Sequence, residues 1–420
     1  MNETLQVAKK INSHIANPNL SFQEAELMAL SQPTPFLALS AAAIESKFQT
    51  LKRELPGIEI YYATKANPDP KILGLVKKLG DGIDVASYRE VLAGKAAGIP
   101  VWKMLHSNPI KNPTDIINCV KEGVRWFTFD NLDEIYKLRK FAPNTNILLR
   151  IAIPKNSSVV NLSFKFGADE MEALPLIRNA VSNGLRVRGI TFHVGSQCTS
   201  PENYISALQI SKNIFNSAYN EGIILDVLDI GGGFPIGYRM GVPTISEFCS
   251  AIIRNIRNLF PNNMRIIAEP GRFISGEAIT LVTRVIGKSI RKGVPWYYID
   301  DGIYGSFSGK LFDHCDYRFI TDKQGIRTEC VVAGPTCDSI DVLSMDQRLP
   351  RLDLGDLLLV PGMGAYTSAS ATFFNGFAPT RIAVIEETTR TKPRQLDSFA
   401  FPPIQRQERK KQRLQIAQNI

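Results

Sequence analysis

Eight times between about Ser40 and Gly271 a short run of β-branched or aromatic residues gives way to an amphipathic stretch, and this alternation constrains the fold more than any other feature. The strand-like runs are IEIYYAT (58–64), DGIDVAS (81–87), VWKMLH (101–106), RWFTFD (125–130), NILLRIA (146–152), VRGITFHVG (187–195), LDVLDIGGG (225–233) and RIIAEPG (265–271). Helical patterns such as PKILGLVKKLG, SYREVLAGKAAG and DEIYKLRKFA fill the gaps, and AAAIESKFQTLKREL precedes the first strand. Such alternation requires right-handed crossovers and a parallel sheet. Eight units predict an α/β fold closed into a (β/α)₈ TIM-like barrel, with an open doubly wound sheet as the competing arrangement.

After about Gly276 the pattern changes to short strands with turn signals, AITLVTRVIG, VPWYYIDDG, TECVVAG, DLLLVPG and RIAVIEE, which reads as a C-terminal β-domain. The stretch TPFLAL (34–39) is expected to add a strand to it. At 420 residues the chain exceeds the roughly 250–300 at which a single core stops growing, so two domains are expected. We place the barrel at 38–276, the β-domain at 277–390 with residues 1–37 contributing, and a basic tail at 391–420.

Charge and cysteine content narrow the function classes. The net charge is +9, but from Thr391 onward seven Lys/Arg face only Asp397 and Glu408, so more than half of the excess sits in the tail. A nucleic-acid partner is therefore not expected, and the tail reads as a solvated appendage. No apolar run is long enough for a signal segment or a membrane span, which predicts a cytoplasmic protein without a membrane partner. The six cysteines show no CxxC pair or zinc-like spacing, as suits reduced thiols.

Polar residues gather at the C-terminal ends of the predicted barrel strands, the face on which barrel enzymes build their sites. Lys65 follows the first strand, Asp84 lies in the second, Arg150 ends the fifth, His193 the sixth, Gly231, Gly232 and Gly233 the seventh, and Glu269 with Arg272 the eighth. Three glycines let backbone N–H groups approach an anion, and Arg272 adds a charge-assisted fork, a combination that predicts a phosphate site. Taken alone, the glycines read equally as a tight turn and the arginine as an ordinary surface residue. Lys65, in YYATKANP, places a primary amine at the barrel mouth, where a lysine can form a Schiff base. Glu269 on the opposite strand end is suited to hydrogen-bond and protonate a pyridine nitrogen. His193 is read as a flat surface stacking on a planar cofactor; with four histidines and no second one at ligand spacing, no metal site is expected.

These motifs resemble the fold-type III decarboxylases, the group of ornithine decarboxylase and its lysine-, diaminopimelate- and arginine-acting relatives. The resemblance runs through YYATKAN (61–67), DVASYRE (84–90), LLRIA (148–152), FHVGSQ (192–197), LDIGGGFP (228–235) and EPGRF (269–273). It continues through DDGIYGSF (300–307), LFDH (311–314), GPTCDSID (334–341) and GAYTSASATFFNGF (364–377). It implies an alanine-racemase-like barrel with pyridoxal 5'-phosphate on Lys65, stacked by His193 and paired at its ring nitrogen with Glu269. Ser196, Gly231, Gly232, Gly233, Gly271, Arg272 and Tyr366 correspond to its phosphate surroundings, and Asp84 and Arg150 lie near its other substituents. It further implies a homodimer with shared active sites, in which Cys337 of one chain returns a proton to Cα in the other and Asp338 contacts the distal amine.

The resemblance also bears on the substrate, an amino acid. Asp313 and Asp338 suit a distal ammonium, and neither LFDH nor TCDSID offers the arginine expected for a distal carboxylate. Arginine-specific members are expected to be longer chains. The implied activity is decarboxylation of L-ornithine to putrescine in polyamine biosynthesis, with L-lysine to cadaverine as a second reaction. Phe312, Gln197 and Ser308 stand where tyrosine, glycine and asparagine are usual, so a lysine preference stays open. A racemase and a non-catalytic regulatory homologue are the rival readings, and retention of both Lys65 and Cys337 weighs against the second.

Overall fold

A computed structural model describes residues 16–153, 158–160, 165–239 and 241–385; the basic tail at 391–420 and residues 1–15 lie outside them. Eight parallel strands close into a barrel in chain order: Glu59–Ala63, Gly82–Val85, Met104–His106, Trp126–Phe129, Asn146–Ile151, Arg186–Phe192, Val227–Asp229 and Arg265–Ala268, the last pairing back on the first. The open doubly wound arrangement is thereby excluded. Helices with local stop and start signals separate the strands. Asp69 caps Pro70–Leu79 by accepting from the Lys71 N–H at 2.8 Å, and Asn112 caps Pro113–Glu122 by accepting from Thr114 at 2.9 Å. Both helices carry proline in the first turn, where its missing N–H costs no hydrogen bond, and each cap is worth about 1 kcal/mol. The helix Ala41–Glu54 comes before the first strand and packs between Pro70–Leu79 and Ile245–Leu259, so the ring of helices is completed from the N-terminal side.

The barrel interior is filled by Tyr61, Leu105, Leu148, Val227 and Ile267, with Trp126 packed against them. Trp126 lies under two guanidinium groups, Arg265 at 4.9 Å and Arg188 at 5.7 Å from its ring. Arg265 grips Glu59 through two bonds of 2.8 Å, and Arg188 pairs with Asp226. These residues sit at strand starts, so the N-terminal end of the barrel is plugged. Gly189 lets strands six and seven approach closely: a Cβ there would stand 1.7 Å from the Val227 carbonyl oxygen.

The second unit is a seven-stranded sheet. Its long central strand Ile279–Arg291 pairs on one part of its length with Phe36–Leu39 and Leu357–Pro361, and on the other with Val294–Ile299. Thr328–Ala333 and Val342–Leu349 extend one side, and Arg381–Val384 runs parallel to Phe36–Leu39 on the other. TPFLAL thus contributes a strand from the N-terminal side. Val342–Leu349 has no counterpart among the strands expected from sequence; Asp346, Gln347 and Arg348 make it too polar to stand out. Among the described residues no helix is long and apolar enough to cross a membrane.

Candidate active site

At the C-terminal mouth of the barrel lies a cavity of about 200 Å³ whose walls include Lys65, His193, Ser196, the glycines at 232 and 233, Glu269, Gly271, Arg272, Asp313 and Tyr366. The residues reach it from four different barrel strand ends and from the second unit, which explains why no contiguous motif reveals it.

Lys65 sits in a short helical turn, Thr64–Ala66, directly behind strand one, and its Nζ donates to Asp84 Oδ2. The turn is held from the second unit, since the Tyr366 N–H donates to the Ala66 carbonyl at 2.9 Å. Burial of the amine pulls its pKa down, but Asp84, Glu269 and Tyr366 outweigh it and the net shift is upward. Lys65 therefore rests as an ion-paired ammonium, not as the neutral amine that desolvation alone would give.

Glu269 follows strand eight and is 5% exposed. Its Oε1 accepts from the Ser107 hydroxyl. Burial, with Asp229 and Asp84 nearby, raises its pKa well above the usual carboxylate range. Asp229, at the end of strand seven, accepts from the Gly231 N–H and the Thr191 hydroxyl, both at 2.9 Å, and burial pushes it up to about 6. Three acids and two cations, Lys65 and Arg150, thus share one poorly solvated floor. His193 accepts from the Gly195 N–H at Nδ1 (3.0 Å), which assigns its proton to Nε2. Burial, with Arg150 and Lys65 nearby, lowers its pKa well below the ordinary value, so the ring is neutral.

The glycine turn is shaped by its lack of side chains. Gly231 and Gly233 adopt φ of 66° and 113°, and a Cβ on Gly232 would lie 2.6 Å from the Glu269 carbonyl oxygen and 3.2 Å from His193 Nε2. Gly271 packs tightly on the lysine turn, since its Cβ would come 2.8 Å from that of Ala66. Beside this cradle Arg272, 5% exposed, donates to Ser196 Oγ at 3.0 Å, to the Tyr238 hydroxyl and to Asp313, and its guanidinium lies 4.7 Å from the Tyr366 ring centre. Its Nε has no protein partner. Lys65 and Glu269 follow strands that pair with each other, not opposite ones as expected, because the barrel closes strand eight onto strand one. A buried arginine, a serine hydroxyl and a Cβ-free turn fit a phosphate, and an amine with a buried acid on the same cavity wall fits a pyridoxal ring.

Other expected residues fall differently. Arg150 ends strand five but does not line the cavity, its guanidinium lying 5.3 Å from the Phe166 ring centre. Gln197, where glycine is usual, adopts φ of 54°; this left-handed conformation costs on the order of 1 kcal/mol. Its side-chain amide offsets that by exchanging two 2.9 Å hydrogen bonds with the backbone of Ile236, which fixes the loop after the glycines. The Ser308 hydroxyl is 2.7 Å from that of Ser370 and 3.2 Å from the Tyr366 carbonyl. Phe312 is 65% exposed and does not line the cavity. Cys337 is exposed on the second unit, its N–H donating to Asn375 Oδ1 at 3.1 Å, and Asp338 accepts from the Tyr304 hydroxyl at 2.5 Å. Neither residue lines the Lys65 cavity. Ser107, Asp229 and Tyr238 were not read as site residues from sequence; the strand-end rule applied to Lys65 and Glu269 would have reached the first two.

Residues 41–276 match the family model of the pyridoxal-dependent decarboxylases, pyridoxal binding domain. A lysine/ornithine decarboxylase of Selenomonas ruminantium is 42% identical over 87% of this chain and 94% of its own length. An ornithine decarboxylase of Caenorhabditis elegans is 37% identical over 84% and 87%. Among solved structures, the arginine decarboxylase of Paramecium bursaria Chlorella virus superposes with a TM-score of 0.80 at 32% identity, covering 84% of this chain and 96% of its own. That arginine enzyme is not a longer chain, so length does not separate arginine-acting members from this one.

Proposed function

The chain belongs to the pyridoxal-dependent decarboxylases, and we propose that it removes carbon dioxide from a basic L-amino acid, L-ornithine to putrescine first and L-lysine to cadaverine second. The observation that carries the reading is the convergence of Lys65, Glu269 and Arg272 on one cavity at the barrel mouth. In this reading Lys65 holds pyridoxal phosphate through its amine, with Asp84 as the counter-ion of that nitrogen. Ser196, Arg272 and the N–H groups of Gly231–Gly233 hold the phosphate, with Gly271 and Tyr366 packing beside it. His193 supports the ring face, and Glu269 holds a proton at the ring nitrogen. Bound there, the cofactor supplies a sink for the electron pair left on Cα as carbon dioxide departs.

The substrate's distal ammonium is assigned to Asp313, which lines the cavity. In the structure its carboxylate is paired with Arg272, so a phosphate that draws on the same guanidinium frees part of its charge for the substrate. Asp313→Asn is expected to raise KM for ornithine by about 10- to 100-fold, the effect of losing one charge-assisted contact. Parallel assays of carbon dioxide release from ornithine, lysine, arginine and diaminopimelate test the proposal, and a preference for either of the last two would overturn it.

Returning a proton to Cα needs an acid, and the resemblance assigns that part to Cys337. Cys337 and Asp338 lie outside the cavity, on a face that also exposes Phe373 (72%) and Phe377 (48%). We assign that face to a second copy of the chain, so that Cys337 of the partner subunit protonates Cα and Asp338 of the partner subunit approaches the distal amine. An exposed aromatic patch beside a catalytic thiol is economical only if it is covered on assembly.

The buried acids have a further consequence. The folded-state pKa of Asp229 is raised, so its contribution to stability is fully present below its unfolded value and is lost as pH rises through about 6. Asp229→Asn keeps an acceptor for Gly231 and can donate to Thr191. It is expected to raise the Tm of the cofactor-free protein at pH 8, with the gain vanishing near pH 4. An equal gain at both pH values would refute this.

A further inference from the structure

We propose that Ser107 is a positioning residue for Glu269, acting through it on the cofactor's ring nitrogen; the inference rests on the reading above that Glu269 faces that nitrogen. Ser107 is the first residue after strand three, and Glu269 follows strand eight, which is not its neighbour in the barrel, so the bond crosses the barrel mouth. Both side chains are buried, Ser107 at 8% and Glu269 at 5% exposure. Across this distance from water a single hydroxyl decides how one carboxylate oxygen is oriented.

The hydroxyl itself is anchored. The Ser107 N–H donates to the Val85 carbonyl at 3.1 Å, which continues the pairing of strands two and three into the loop. The loop that follows is tied down by Lys111, whose Nζ donates to the carbonyls of Asn108 (3.1 Å), Pro109 (2.7 Å) and Thr128 (2.5 Å) and pairs with Glu134 at 3.1 Å. Lys111 and Glu134 are almost wholly buried. So much fixed polar structure under a five-residue loop leaves the hydroxyl little freedom to turn away.

The chemical effect follows from the donor's direction. Asp229 and Asp84 both favour a protonated Glu269, and Lys65 and Ser107 favour the anion. A ring nitrogen that shares its proton with Glu269 needs a carboxylate, so the Ser107 O–H works with the cofactor and against the neighbouring acids.

The test uses the full-length, cofactor-free enzyme and two probes, pyridoxal phosphate and its deaza analogue with C–H in place of the ring nitrogen. The wild type is expected to bind the analogue more weakly. Ser107→Ala is expected to raise Kd for pyridoxal phosphate about tenfold, the scale of one hydrogen bond to a charged group, and to leave Kd for the analogue unchanged. Ser107→Thr, which keeps the hydroxyl, is expected to restore binding, and an unchanged Tm of cofactor-free Ser107→Ala shows that the fold is intact. Equal weakening toward both probes, or wild-type binding of both, overturns the role of Ser107 while leaving Glu269 in place. A wild type that does not distinguish the probes removes Glu269 from the ring nitrogen, and this inference with it.

Discussion

Replacing Lys65 with alanine is expected to lower kcat/KM for ornithine by on the order of 10⁴-fold or more, the scale seen when a covalent catalytic group is lost. The same variant should yield no cofactor-labelled peptide after borohydride treatment and mass analysis. Because Lys65 is ion-paired with Asp84, alanine also strands a carboxylate that is 1% exposed. Lys65→Arg separates the two effects: it keeps a cation for Asp84 but has no amine able to form the link. It is expected to fold like the wild type, bind the cofactor without fixation, and turn over no faster than Lys65→Ala. Wild-type rates in either variant would remove Lys65 from the centre of the mechanism.

The second large effect concerns Cys337. Alone, Cys337→Ala is expected to divert the proton meant for Cα and to release an aldehyde in place of most of the diamine. Mixing it with Lys65→Ala gives a sharper result. If each site takes Lys65 from one chain and Cys337 from the other, half of the randomly formed dimers are mixed, and each of those holds one intact site. Diamine formation is then expected to recover to about a quarter of the wild-type rate, from two nearly inactive parents. No recovery, under conditions where chains demonstrably exchange, would place each site within a single chain. Clean diamine from Cys337→Ala at an unaltered rate would exclude the thiol itself.

The barrel was legible because its strands are made of residues that resist helices, and its site because polar groups at strand ends have no packing role to explain them. Lys65, His193, Glu269 and Arg272 are all of this kind, and they meet in one cavity. What stayed hidden is polarity with a local explanation. Ser107 reads as the start of a loop, Asp229 as part of a turn before three glycines, and Tyr238 as a loop aromatic, yet each touches a site residue or its neighbour. The charge state of Lys65 was equally out of reach, since it depends on how close three separate side chains come. Substrate choice remained coarse for a related reason: Asp313 is already engaged by Arg272, and Phe312 is exposed and does not line the cavity, so neither identity alone fixes the pocket.

The strand Phe36–Leu39 lies between Ile279–Arg291 and Arg381–Val384, and so joins the beginning of the described chain to its end. During synthesis it leaves the ribosome before the barrel, and both of its neighbours leave after it. All of the barrel's pairings but the closing one of strand eight on strand one are between successive strands and can form as they emerge, whereas this strand must wait with its edges open. Contacts so distant along the chain are slow to form. The sheet that bears Cys337 is therefore the last part to be completed, and a nascent chain can own a finished barrel, with Lys65 in position, well before it can complete a neighbour's active site.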